Sequence, residues 1–180
     1  MAKQAVFAIV IVLVSVFFFS KSNASSANNM SLIESVCKKT FDYNLCVSSL
    51  KSNPRSFNTD VKGLARIMMD VILSKVDGIL GVIRQLVKKT SDPRMLECLN
   101  NGCYIEYDRN TDNIKYAIEY LQSNSFREAL TSVDDAYVGA QEGCEDSFAE
   151  LKIKSPMTAI NKHFAALCKI TEDIISILYK

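Results

Sequence analysis

The residues best able to do chemistry in this chain of 180 residues are six cysteines and one histidine. Cys37 and Cys46 stand nine apart, Cys98 and Cys103 five apart, and Cys144 and Cys168 alone. A zinc site needs four well-placed ligands, commonly a Cys-x-x-Cys pair with histidines. No such pair occurs and His163 is the one imidazole, so no metal and no cofactor is expected. His163 also lacks a neighbouring Ser, Cys or Asp in a nucleophilic setting; it flanks an apolar stripe as a boundary residue. Two carboxylate pairs, Asp134-Asp135 and Glu145-Asp146, remain as acid/base candidates. Adjacent residues on a helix point about 100° apart, so neither pair converges on one substrate bond. With no glycine-rich phosphate loop either, a catalytic reading has nothing to stand on.

The cysteines then read as disulfides, which need an oxidising compartment. The N-terminus supplies the route. Lys3 and Gln4 precede an apolar run from Ala5 to Phe19, 15 residues without a charge. That is short of the roughly 20 residues of a membrane span and suits a signal peptide. Small residues at Ser22-Asn23-Ala24 and Ser25-Ser26-Ala27 place cleavage after Ala24 or Ala27, so residues 1–24 are expected to be removed. Their loss takes Lys3 and Lys21 and no acid, leaving 19 basic against 20 acidic residues, a net −1. Such a balance excludes a nucleic-acid or anionic-membrane partner, each of which needs a basic face. Asn29-Met30-Ser31 is a glycosylation acceptor beside the mature N-terminus.

The elements that must position the cysteines are helices. Three prolines and six glycines punctuate the chain, and no stretch alternates with a period of two. Ser31 to Glu34 reads as a capping box that opens a short helix; Leu45, Cys46 and Leu50 lie on a second one, closed by Asn53-Pro54. Together they form a hairpin that Cys37 and Cys46 are placed to staple. Val61, Leu64, Met68, Ile72, Val76, Ile79, Ile83 and Leu86 define one face of a long helix from Asp60 to Lys89. Asp92-Pro93 caps the next, with the stripe Cys103, Tyr107, Ile114, Ile118 and Leu121. Its stretch Asp108 to Asn113 forms helix poorly and has to rely on tertiary support. Ser125 and Glu128 read as another capping box, opening a helix through Phe126, Ala129, Val133, Tyr137, Ala140, Cys144 and Phe148. Ser155-Pro156 reads as the cap of the last helix, which carries Ile160, Phe164, Leu167, Thr171, Ile174 and Leu178.

Four amphipathic helices on short connections predict an all-α, up-down-up-down four-helix bundle over residues 58–180. The hairpin of residues 25–57 precedes it. Antiparallel neighbours bring Cys103 close to Cys144. Cys98 and Cys168 are left either to pair with each other or to remain as buried apolar thiols.

These features resemble the plant invertase/pectin methylesterase inhibitor family. Cys37-Lys38-Lys39-Thr40-Phe41-Asp42-Tyr43-Asn44-Leu45-Cys46 is similar to the family's opening Cys-x-x-Thr-x-x-Tyr-x-x-Cys. Ser52 to Ser56 with Asp60 and Leu64, Cys103-x3-Tyr107, Cys144 to Phe148 and Ser155 to Asn161 continue the likeness. The resemblance implies bridges Cys37–Cys46 and Cys103–Cys144, and a secreted protein that docks on a carbohydrate-active enzyme in a 1:1 complex. Asn101-Gly102 looks like a one-residue insertion, which shifts Cys103 relative to Cys98.

Tyr43, where pectin methylesterase inhibitors commonly carry proline, and the stretch Leu64 to Asp70 look closer to the invertase inhibitors. Those members enter the invertase cleft with a Pro-Lys-Phe motif. Here the matching residues are Asn124-Ser125-Phe126, so the aromatic is kept, and Arg127 follows to supply a cation. Asn124, Ser125, Phe126 and Arg127 are the expected target-binding residues, with acid invertase the expected target in the apoplast, cell wall or vacuole. Pectin methylesterase is the alternative, as is a family fold that inhibits neither and instead binds an apolar ligand or accumulates. Phe126 has a competing structural role as a residue packed under the helix start, and Asp108 to Asn113 is either a solvated face or a polar patch that meets the target.

Overall fold

The computed structural model describes residues 30–179, every regular element of which is helical. The expected signal peptide and the Asn29 acceptor lie outside the described residues. Helix α1 (30–37) and α2 (Tyr43–Lys51) form the hairpin. Helix is already present at Met30, so Ser31 lies inside α1 and does not cap it. Asp42 caps α2 by accepting the amide of Leu45 at 2.9 Å. A 3-10 turn, Pro54–Asn58, leads to α3 (Val61–Lys89), whose cap Asp60 accepts from the Gly63 amide. Helix α4 (Pro93–Glu97) starts at the expected Asp92-Pro93 and runs through a π turn, Cys98–Tyr104, into α5 (Ile105–Gln122). Helix α6 (Phe126–Val138) passes through a second π turn, Gly139–Cys144, into α7 (Glu145–Glu150). Helix α8 (Thr158–Leu178) closes the bundle.

Each long helix packs on two others: α3 on α5 and α8, and α6 on α5 and α8. The stripes read from sequence meet inside, where Leu64, Met68, Ile72, Val76, Ile114, Val133, Phe164, Leu167 and Ile174 are buried. The hairpin lies on α3 and α8. Two polar ties fix it there: the Phe41 amide donates to Asp173 of α8 at 2.7 Å, and Arg55 pairs with Asp70 of α3 at 2.7 Å.

The helix does continue through Asp108 to Asn113, where Asn110 supplies a tertiary tie. Asn110 is fully buried and donates to the Ala136 carbonyl of α6 at 3.1 Å. Asp108, Arg109 and Asp112 face solvent around it.

The two π turns lie side by side and carry the second disulfide. A π turn widens the helix by spreading an extra residue over the turn, and here it lets two backbones meet. Cys103 and Cys144 are bonded with their Cα atoms 4.1 Å apart, and Cys37 and Cys46 with theirs 5.6 Å apart. Glycine is needed at the contact. A Cβ on Gly102 would come within 2.7 Å of Ser147 Cβ, and one on Gly143 within 2.5 Å of Glu106 Cγ. Asn101-Gly102, the apparent insertion, sits inside the first π turn.

A Cys98–Cys168 bridge is ruled out by register. Both thiols are free and buried. Cys98 donates to the Ser147 carbonyl at 3.1 Å, while Cys168 adjoins Lys169, which reaches Asp134. Ser147 and Asp134 are 13 residues apart, which puts the two thiols about 20 Å apart along the bundle, whereas bridged Cα atoms are at most about 7 Å apart. Burial pushes both thiols above the usual range, and so keeps them protonated and inert.

Two helix starts differ from expectation. Ser125 occupies the cap position of α6 but makes no capping hydrogen bond. Helix α8 begins at Thr158 because Ser155 is used otherwise: its hydroxyl accepts the Met157 amide and donates to Glu145. Glu145 also takes hydrogen bonds from Thr158 and from Asn161 (2.8 Å). Asn161 in turn accepts the Tyr107 hydroxyl at 2.7 Å and reaches the Cys144 sulfur at 3.3 Å. This network ties α5, α7, α8 and the disulfide together at one end of the bundle.

Candidate functional site

The expected target-binding residues lie at the opposite end, in the turn from α5 to α6. The turn is a Schellman motif built without glycine. The Ser125 amide donates to the Tyr120 carbonyl at 2.9 Å and the Asn124 amide to the Leu121 carbonyl at 3.2 Å. Asn124 takes the left-handed conformation this requires, with φ of 61°, which asparagine tolerates better than most residues. Ser123 adds hydroxyl bonds to the Glu119 and Tyr120 carbonyls.

Phe126 opens α6 half-buried, with its ring packed against the core. Part of its ring thus anchors the turn and the rest stays accessible. Arg127 is exposed at the tip. Its guanidinium donates to the Tyr179 hydroxyl through Nε (3.1 Å) and Nη2, and lies 5.5 Å from the centre of that ring.

Sequence reasoning missed Lys62, in the first turn of α3. Its ammonium donates to the Asn124 side-chain oxygen at 2.7 Å and to the Gln122 carbonyl at 3.1 Å. The second bond satisfies a terminal carbonyl of α5 and sets a cation against the negative end of that helix. No local signal marks Lys62, because it is 60 residues from the turn it serves. Both Lys62 and Arg127 are held by neutral acceptors, so their charges are not cancelled by an ion pair among the described residues. Tyr116 and Tyr120, exposed on successive turns of α5, lead up to the turn.

The groups weighed for catalysis are dispersed. Asp134 faces Lys169 of α8, whereas Asp135 lines a groove on the α5 side. Glu145 is taken up in the network above, and Asp146 points into another groove with Glu97, Glu142 and Glu150. His163 lies at the rim of an open groove of about 560 Å³ between α3 and α8, beside Lys75, Gly78 and Ile160. A second open groove, about 520 Å³, runs between α6 and α8 with Phe41 at its edge. No cluster able to hold a metal occurs among the described residues, and none of their helices is long and apolar enough to cross a membrane.

The class of protein the structure defines is a disulfide-pinned four-helix bundle with a stapled hairpin. Residues 31–174 match the plant invertase/pectin methylesterase inhibitor profile, and the chain belongs to that family. Family members are non-catalytic inhibitors, so this protein is not an enzyme but an inhibitor that acts on a carbohydrate-active enzyme. It is 30% identical to the cell wall / vacuolar inhibitor of fructosidase 2 of Arabidopsis thaliana, covering 99% of this chain and 97% of that one. It is 31% identical to a pectinesterase inhibitor of Actinidia deliciosa over 65% of this chain and 62% of that protein. A crystal structure of a mutant pectin methylesterase inhibitor from Arabidopsis superposes with a TM-score of 0.66 at 26% identity, covering 82% of this chain and 95% of that one.

Proposed function

We propose that the protein inhibits acid invertase in a 1:1 complex by seating the turn Asn124–Arg127 in the enzyme's cleft. The observation that carries this reading is the turn itself: locked by a Schellman motif, it projects Arg127 with an uncancelled charge. Glycosidase clefts bring two carboxylates together around the scissile bond. A cation beside a half-exposed aromatic ring is complementary to such a cleft, and a preformed turn loses little entropy on docking. Similarity to a fructosidase inhibitor over nearly the whole chain supports the same target. The Pro-Lys of the family motif is replaced by Asn124-Ser125, with Arg127 taking over the cation from the other side of Phe126. Secretion to the cell wall or vacuole, after loss of residues 1–24 and with a glycan on Asn29, fits this role. The hairpin of residues 25–57 and the bundle of 58–180 then act as one inhibitor domain.

Titration of the oxidised mature protein against acid invertase and pectin methylesterase, side by side at mildly acidic pH, tests the reading. Loss of sucrose cleavage, relieved by Phe126→Ala and Arg127→Ala in protein that still melts cooperatively, is the expected result. Loss of esterase activity alone would overturn it in favour of the pectin methylesterase target. Loss of neither would leave a family fold without the inhibitory role.

A further inference from the structure

The Schellman bonds set the backbone of the turn between α5 and α6 but leave its side chains to be oriented from elsewhere. Asn124 sits in a left-handed conformation that L side chains adopt at a cost, and Ser125 supplies no capping bond. Two residues distant in sequence compensate. Lys62 of α3 bridges the Gln122 carbonyl and the Asn124 side chain, gripping the turn from the α5 side. Tyr179, just past the end of α8, receives the Arg127 guanidinium and lies under its charge, gripping it from the α6 side. The bundle's up-down-up-down order makes this possible, because the start of α3 and the end of α8 lie at the same end as the turn.

We propose that Lys62 and Tyr179 are positioning residues for target docking, a pair of clamps that hold Asn124 to Arg127 in the conformation that binds. The inference rests on the reading of this turn as the docking element. Each clamp acts through a neutral acceptor or donor pair and leaves its cation unpaired, so the charge stays available to the target. Tyr179 fixes the direction of Arg127; Lys62 fixes the backbone that carries Phe126. Neither makes the main contact. Their part is to remove alternative conformations from the free inhibitor, and loss of such pre-organisation weakens binding without removing an anchor.

Four variants of the oxidised chain, Lys62→Met, Lys62→Arg, Tyr179→Phe and Phe126→Ala, are titrated against acid invertase, with melting temperature and amide hydrogen exchange recorded for each. Lys62→Met and Tyr179→Phe should each weaken inhibition roughly three- to tenfold, the affinity equivalent of one lost hydrogen bond. Exchange at the Asn124 and Ser125 amides should quicken in Lys62→Met, with protection in the core of the bundle unchanged. Lys62→Arg, which keeps a donor and a charge, should restore most of the affinity. In a double-mutant cycle, Lys62→Met with Asn124→Ala should be less than additive in affinity, since both break the same bond. If Phe126→Ala weakens inhibition and neither clamp variant does, the clamps are merely structural and this inference falls alone. If Phe126→Ala is also without effect, the turn is not the docking element and the reading beneath the inference falls with it.

Discussion

The buried network around Asn161 yields a prediction whose size follows from its bonds. Asn161 is fully buried and accepts the Tyr107 hydroxyl, itself fully buried, at 2.7 Å. Its amide donates to the Glu145 carboxylate at 2.8 Å. Replacing Asn161 with leucine keeps the volume but strands the phenol, which costs about 1–3 kcal/mol, and removes a bond to a charged acceptor, about 1.5–3 kcal/mol. Ser155 and Thr158 still serve Glu145 and the leucine adds some apolar burial, so about 3 kcal/mol is expected in total. Tyr107→Phe, which leaves the Asn161 oxygen unpaired but keeps the edge-to-face contact with Phe164, should cost about 1.5 kcal/mol. The double variant has no phenol to strand. It should therefore cost about 1.5 kcal/mol, the loss of the Glu145 bond alone, rather than the sum of about 4.5, a coupling of about 3 kcal/mol. Urea denaturation of the oxidised proteins reads this directly: at a slope of about 2 kcal/mol/M, a loss of 3 kcal/mol lowers the midpoint by about 1.5 M. The network lies at the far end of the bundle from the α5–α6 turn, so the folded variants should inhibit as the parent does. Additivity within about 0.5 kcal/mol would refute the network as a cooperative unit.

Other consequences are open to the same methods. Opening Cys103–Cys144, with a sequence separation of 41, should destabilise the chain more than opening Cys37–Cys46, with a separation of 9. The chain-entropy estimates are about 4 and 2.7 kcal/mol, and paired Cys→Ala variants measure both. Gly78→Ala should stabilise by about 0.5–1 kcal/mol, because a Cβ there meets nothing within 4 Å and glycine weakens a helix. Gly102→Ala should instead cost about 1–3 kcal/mol by forcing the π turns apart, and thermal melts of the two variants should move in opposite directions.

Glu172 gives folding a pH dependence on the acid side. Burial raises its carboxyl above the ordinary 4.5, outweighing the hydrogen bond and charge of Lys169, while Asp134 and Asp173 push the same way as burial. As pH falls, the folded carboxyl takes up its proton before the unfolded one, so this group adds stability down to about 4.5 and no more below. Glu172→Gln should flatten that part of the stability profile; an unchanged slope would assign the titration to another group.

Much of the fold was legible because periodicity records which face of a helix leaves water. The stripes on α3, α5 and α8 are the buried faces, and Asp60 and Asp92-Pro93 mark helix starts where side-chain oxygens meet free amides. Local signals were weaker wherever a side chain had a better partner elsewhere. Ser155 matches a cap in sequence, yet it bonds Glu145 ten residues away and the helix starts later. Ser125 lies in a capping-box pattern but leaves the turn to be held by the Asn124 backbone and by Lys62.

The helical class, the stapled hairpin and the position of the α5–α6 turn are legible along the chain. Each of these depends on residue type and short spacing, which survive without coordinates. Tertiary structure decided the rest, because those facts concern residues distant in the chain. The two π turns bring Cys103 against Cys144 and leave Cys98 a register away from Cys168. Asn110 is buried because α6 passes over it, although its neighbours in sequence are solvated. Arg127 finds Tyr179 across 52 residues, and Lys62 reaches Asn124 across 62. Hydrophobic periodicity is averaged over many residues and tolerates single exceptions. A hydrogen bond between two particular side chains depends on how the packed helices happen to align, and no pattern along the chain encodes it.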